Sequence, residues 1–101
     1  MSFNKLTDAQ IELLALLSEE CGEVVKAIGK IMRHGYESMN PRNRSGPTNR
    51  TSLEREVGDV LASVSLLEQA GDVDPKAIAR AQKRKARKVT RYLHHQGPRK
   101  P

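Results

Sequence analysis

Residues 8–34, DAQIELLALLSEECGEVVKAIGKIMRH, contain no proline and decide the fold. Thr7 precedes the run and Gln10 lies three positions on, the spacing of a capping box in which each side chain satisfies a free amide of the first turn. Gly35, directly after His34, supplies the C-terminal stop. The stretch is therefore predicted to be one long helix, roughly 40 Å at 1.5 Å per residue. Its apolar residues, Leu13, Leu14, Leu17, Val24, Val25, Ile28, Ile31 and Met32, spread over a wide arc. Two short neighbouring helices do not easily cover such an arc, so self-association is expected.

Working outward, residues 35–50 hold two prolines, two glycines, three asparagines and three arginines, the composition of a loop, predicted to extend over 35–51. Thr51 with Glu54 reads as a second capping box, which opens a helix over about 52–70 that stops at Gly71. Asp74-Pro75 gives an N-cap and a first-turn proline for a third helix over about 75–93. Residues 94–101 read as a polar tail. The fold class is all-α: one domain over 1–101, a helical bundle of one long and two shorter helices.

Composition agrees. A chain of 101 residues and 11.3 kDa has room for one small domain with a marginal core. Three aromatic residues, Phe3, Tyr36 and Tyr92, are too few for a β-sandwich or barrel. Eighteen basic against twelve acidic residues give a formal charge of +6, which suits an anionic partner. Cys21 stands alone, so neither an internal disulfide nor a cysteine zinc site can form, and it reads as core. The longest apolar stretch, Leu13 to Leu17, is too short for a bilayer, and the first residues lack an apolar signal core. The chain is expected to be soluble and cytoplasmic, with no membrane contact.

The chemistry lies in the placement of charge. At about 100° per residue, Glu12, Glu19, Lys26, Lys30 and Arg33 mark the polar side of the first helix. Glu20 instead projects among Leu13, Leu17, Val24 and Ile31, and Glu23 lies at the rim one turn on. The second helix repeats the pattern: Leu53, Val57, Val60, Val64 and Leu67 form its apolar face, with Glu56 inside one edge and Asp59 just outside. Carboxylates converging between packed helices are unfavourable unless neutralised. A hard divalent cation does this, magnesium being usual where phosphates complete the ligand set. Solvated acidic faces are commonplace, and Glu12, Glu19 and Glu68 fit that description; Glu20, with leucines on either side, does not.

On the third helix, Ile78, Ala81, Val89 and Tyr92 form an inner stripe, with Lys85 in its middle and Lys88 at its rim. Two readings stand: inward lysines that neutralise a bound polyphosphate, or a Lys85 that snorkels or pairs with Glu20 or Glu56. Arg80, Lys83, Arg84, Arg87 and Arg91 lie outward without interleaved aromatics, so nucleic acid is not the expected partner.

Glu19-Glu20-Cys21-Gly22-Glu23 followed by Glu56-Val57-Gly58-Asp59 resembles the EExxE and ExxD motifs of the MazG-like, all-α nucleoside triphosphate pyrophosphohydrolases. The similarity extends over most of the chain, to a basic last helix ending in Arg91-Tyr92. It implies a four-helix-type core completed by oligomerisation, as a homodimer or homotetramer. It also implies magnesium-dependent cleavage of (deoxy)nucleoside triphosphates to monophosphate and pyrophosphate, with manganese as a substitute ion. By position, Glu20, Glu23, Glu56 and Asp59 would hold the metal, and Glu19 would orient the attacking water or support a further ion. Lys85 and Lys88 would contact phosphates, and Tyr92 could add a hydrogen bond.

Two features depart from that pattern. The stretch between Glu23 and Glu56 is longer than usual because of residues 36–50, where Arg42, Arg44, Asn49 and Arg50 flank Gly46-Pro47. It is either a lid over the nucleotide, with Asn49 as a substrate contact, an arm to a second subunit, or a loop without a catalytic role. The chain also has no Trp on which to stack a base, which leaves nucleotide preference open. A basic helical module without catalysis is the rival reading, and it leaves the inward carboxylates unexplained.

Overall fold

A computed structural model describes residues 3–97, so the last four residues of the polar tail lie outside it. Three helices follow in order: α1, Asp8–His34; α2, Asn49–Gln69; and α3, Pro75–Val89, which runs into a 3-10 turn, Thr90–Tyr92. Strands are absent among the described residues, where the nearest approach to one is an isolated antiparallel bridge between Met39 and Thr48.

The ends of α1 are set locally. Thr7 Oγ1 accepts from Gln10 N at 3.1 Å, and the Gln10 side chain accepts from Thr7 N at 2.9 Å. At the other end Gly35 donates to Ile31 O at 2.7 Å with φ of 87°, a conformation costly for any residue with a Cβ. The start of α2 differs from the sequence expectation. Thr48, not Thr51, is the N-cap, and its Oγ1 accepts from Thr51 N at 3.2 Å. The reason is tertiary: Asn49 Nδ2 donates to Gly35 O at 3.1 Å, and Asn49 N donates to Ser38 O at 2.8 Å. These bonds to the end of α1 and the loop hold Asn49 and Arg50 in the first turn of α2. Asp74 caps α3 as expected, accepting from Lys76 N at 3.0 Å, with Pro75 in the first turn.

The loop between α1 and α2 is cross-linked. Arg50 N donates to Tyr36 O at 2.8 Å, while the Arg50 guanidinium lies 4.4 Å above the Tyr36 ring and pairs with Glu37 at 2.7 Å. A Cβ at Gly46 would sit 2.7 Å from Asn43 Nδ2 and 3.0 Å from Asn43 O, so the turn over 43–46 needs a residue without one.

α1 and α2 pack as an antiparallel hairpin. One cavity joins Leu6, Gln10 and Leu14 to Leu67 and Val73, and another joins Glu23 and Lys30 to Asn49 and Ser52. The core is thin: Ala27, Ser63 and Leu67 are buried, and Ser63 Oγ is satisfied by Asp59 O at 2.9 Å. Met32 is 82% exposed and Leu61 63%. α3 departs from the expected inner stripe, for every residue from Pro75 to Lys88 is exposed and Val89 is only half-buried. The radius of gyration, 17.4 Å, accordingly exceeds the roughly 13 Å of a compact 100-residue domain. Cys21, expected in the core, is exposed, because α1 is covered on one side only. Among the described residues, no helix is long and apolar enough to cross a membrane.

Candidate metal centre

Positions three or four apart share a helix face. Glu20 and Glu23 therefore adjoin on α1, as do Glu56 and Asp59 on α2, and the hairpin sets the two pairs opposite each other. Glu20, Glu56 and Asp59 converge: each offers a carboxylate oxygen, and these atoms all lie within 4.8 Å of one another. Glu20 and Glu56 are half-buried and Asp59 is exposed. Glu23 is exposed and stands outside this trio, but with Glu56 it lines the adjoining cavity of about 120 Å³.

Among the described residues, no cationic side chain forms an ion pair with the cluster. The one ion pair among them is Arg50 with Glu37, which ties the first turn of α2 to the loop and includes none of the trio. Partial desolvation raises the Glu20 carboxyl above its ordinary range, and the charges of Asp59, Glu19, Glu56 and Glu23 push in the same direction. A set of hard oxygen donors at close quarters fits magnesium, which takes carboxylates and completes its shell with water and phosphate. It does not fit a soft metal, since Cys21 and the histidines are absent from the trio.

Other residues singled out in the sequence fall elsewhere. Glu19 is exposed on the flank of α1 next to Glu20. Asn49 lines both the cavity beside the carboxylates and a larger one under the loop. Lys85, Lys88 and Tyr92 are all exposed, and neither cavity is lined by α3. The inward placement expected for Lys85 is thus not met within one protomer, where the stripe that holds it has no surface to face. Lys26, Lys30 and Ser52, which the sequence reading left on polar surface or did not consider, do line the cavity beside Glu23 and Glu56. The signal was present: Glu23, Ala27, Lys30 and His34 recur at spacings of four and three, a single strip of α1.

The family model of the MazG nucleotide pyrophosphohydrolase domain matches residues 9–94. The chain belongs to this family. The all-helical architecture is consistent with the MazG fold, and membership supports nucleotide pyrophosphohydrolase activity in general. No curated protein and no solved structure matches the chain.

Proposed function

We propose that this MazG-domain protein is a magnesium-dependent enzyme that hydrolyses (deoxy)nucleoside triphosphates to monophosphate and pyrophosphate in the cytoplasm. The observation that carries the reading is the convergence of Glu20, Glu56 and Asp59 within 4.8 Å, without a cationic partner among the described residues. These three residues, joined by Glu23, hold the ion; manganese, with similar oxygen preference, can substitute. When bound, the metal supplies an acidified water and neutralises charge on the α-phosphate. Glu19 orients the attacking water. The oxygen of that water bonds to the α-phosphorus and its proton passes to solvent, while the bond to the α–β bridging oxygen breaks and pyrophosphate leaves with that electron pair.

The protomer is incomplete by itself. Exposed Val25, Met32 and Leu61 on the hairpin and the uncovered stripe of α3 call for a second copy, as a homodimer or homotetramer with a four-helix-type core. In that assembly α3 covers a hairpin, and Lys85, Lys88 and Tyr92 reach the phosphates together with Asn49. Glu20→Gln and Asp59→Asn are each expected to lower pyrophosphate release at least ~100-fold, since such a metal is worth several kcal/mol of transition-state stabilisation. Circular dichroism should show unchanged helicity. Wild-type turnover in either variant refutes the metal assignment.

A further inference from the structure

Two cavities meet at the loop end of the hairpin. The smaller opens beside Glu23 and Glu56 and is bordered by Lys26 and Lys30. The larger, about 340 Å³, has Lys30, Arg33 and His34 on one wall, and residues Ser38, Met39 and Pro41 of the loop on the other. Lys30 and Asn49 line both, so the two form one groove that leads from the carboxylates toward the end of α1.

Charge changes sign along this groove. Glu23 and Glu56 stand at one end, and Lys26, Lys30 and Arg33 follow, while no acidic residue lines the larger cavity. Among the described residues none of these three cations is in an ion pair. Arg33 folds back along α1, where a Cβ at Gly29 would lie 3.4 Å from its Nη1. The opposite wall is held in place by the Asn49 bonds to Gly35 O and Ser38 O and by the Arg50 contacts with Tyr36 and Glu37.

We infer that this groove seats the pyrophosphate portion of the substrate, with Lys26, Lys30 and Arg33 as its cationic wall. The inference rests on the hydrolytic reading above, because the α-phosphate must then lie at the carboxylates and the rest of the chain must run to one side. The β- and γ-phosphates carry most of the substrate's charge, and charge-assisted bonds from lysine and arginine are the strong ones available to them. A nucleoside in the same place would leave three cations without a counter-charge. The hairpin itself thus supplies phosphate contacts, whatever α3 adds in an assembly.

The test is calorimetric titration of the full-length chain with inorganic pyrophosphate and, separately, with a nucleoside monophosphate, both with magnesium present. Lys30 and Arg33 are exposed, so Lys30→Ala/Arg33→Ala should fold, which circular dichroism checks. Relative to wild type, it should bind pyrophosphate at least about tenfold more weakly, the scale of one lost charge-assisted hydrogen bond, and monophosphate unchanged. Lys30→Arg should keep most of the pyrophosphate affinity. Unchanged pyrophosphate affinity in the double variant overturns the assignment, as does a loss confined to the monophosphate, which would put the nucleoside in the groove. Binding is read without turnover. A chain that shows the expected pattern but cleaves no triphosphate refutes the hydrolytic reading alone; an active chain with unaltered pyrophosphate affinity refutes the groove alone.

Discussion

The α1–α2 hairpin and α3 are built from equally clear local signals, yet only the hairpin has found its packing partner. Thr7, Thr48 and Asp74 all cap their helices through a side-chain oxygen. The hairpin then buries Ala27, Ser63 and Leu67 and brings three carboxylates together, while α3 and the turn after it leave Ile78, Ala81, Lys85 and Tyr92 exposed and Val89 only half-buried. Capping decides where a helix starts and stops; it contributes about 1 kcal/mol and says nothing about what the helix packs on. Tertiary burial decides that, and one protomer has too little apolar surface in contact to settle α3.

The largest expected effect tests whether a second copy makes up the deficit. Leu61 is exposed on α2 and has no role at the metal centre. Leu61→Glu puts a charge on the face that an assembly would bury, where an unpaired charge costs several kcal/mol. Sedimentation should show the wild type as a dimer or tetramer and the variant as a monomer, with activity falling in step. A wild type that sediments as a monomer would mean that α3 stays uncovered and that its lysines do not serve the site.

How far the sequence reaches follows the same division. Both ends of α1 were legible because a capping box and a glycine act within a turn of the residues that carry them. The start of α2 was misplaced by three residues because Thr51 and Glu54 imitate a capping box, whereas Thr48 wins through contacts that Asn49 makes with Gly35 and Ser38, more than ten positions away. Glu20 and Glu56 were legible as carboxylates on apolar faces, and their convergence with Asp59 follows from the hairpin. For Lys30 the sequence shows only that it shares a strip of α1 with Glu23, and Lys26 reads as one of the solvated residues; that this surface borders a groove follows only from α2 and the loop packed beside α1. For α3, amphipathicity marks the face to be covered without naming what covers it.

A smaller effect separates the charged hairpin centre from the rest of the molecule. The raised Glu20 pKa means that the native state retains a proton that the unfolded chain has released once pH exceeds about 4.3–4.5. Without metal, stability at this group therefore falls as pH rises through the native value, and the full carboxylate repulsion is present above it. Magnesium relieves that repulsion where Glu20 is ionised and competes with a proton where it is not. The thermal midpoint should rise by roughly 10 °C at magnesium about 100-fold over its dissociation constant at neutral pH, and by distinctly less at pH 5. Differential scanning fluorimetry at the two pH values reads this directly, and an equal shift at both would remove Glu20 from the ligand set.

The smallest effect distinguishes the clasped part of the loop from its tip. Arg50 stacks on Tyr36 at 4.4 Å and pairs with Glu37 at 2.7 Å, but all three side chains are exposed. An exposed cation–π contact and a surface ion pair each contribute up to about 1 kcal/mol. The backbone bonds from Asn49 N to Ser38 O and from Arg50 N to Tyr36 O do not depend on the Arg50 side chain and survive its removal. Arg50→Ala should therefore lower unfolding free energy in urea by about 1 kcal/mol without melting α2. Arg42→Ala, an equal change of charge at the loop tip outside the clasp, should stay within about 0.5 kcal/mol of wild type. Equal losses in the two variants would mean that the clasp holds nothing and that loss of a positive charge alone is being measured. A loss confined to Arg50 would show that the loop wall of the groove is secured by its own side chains before any ligand or second copy arrives, which α3 is not.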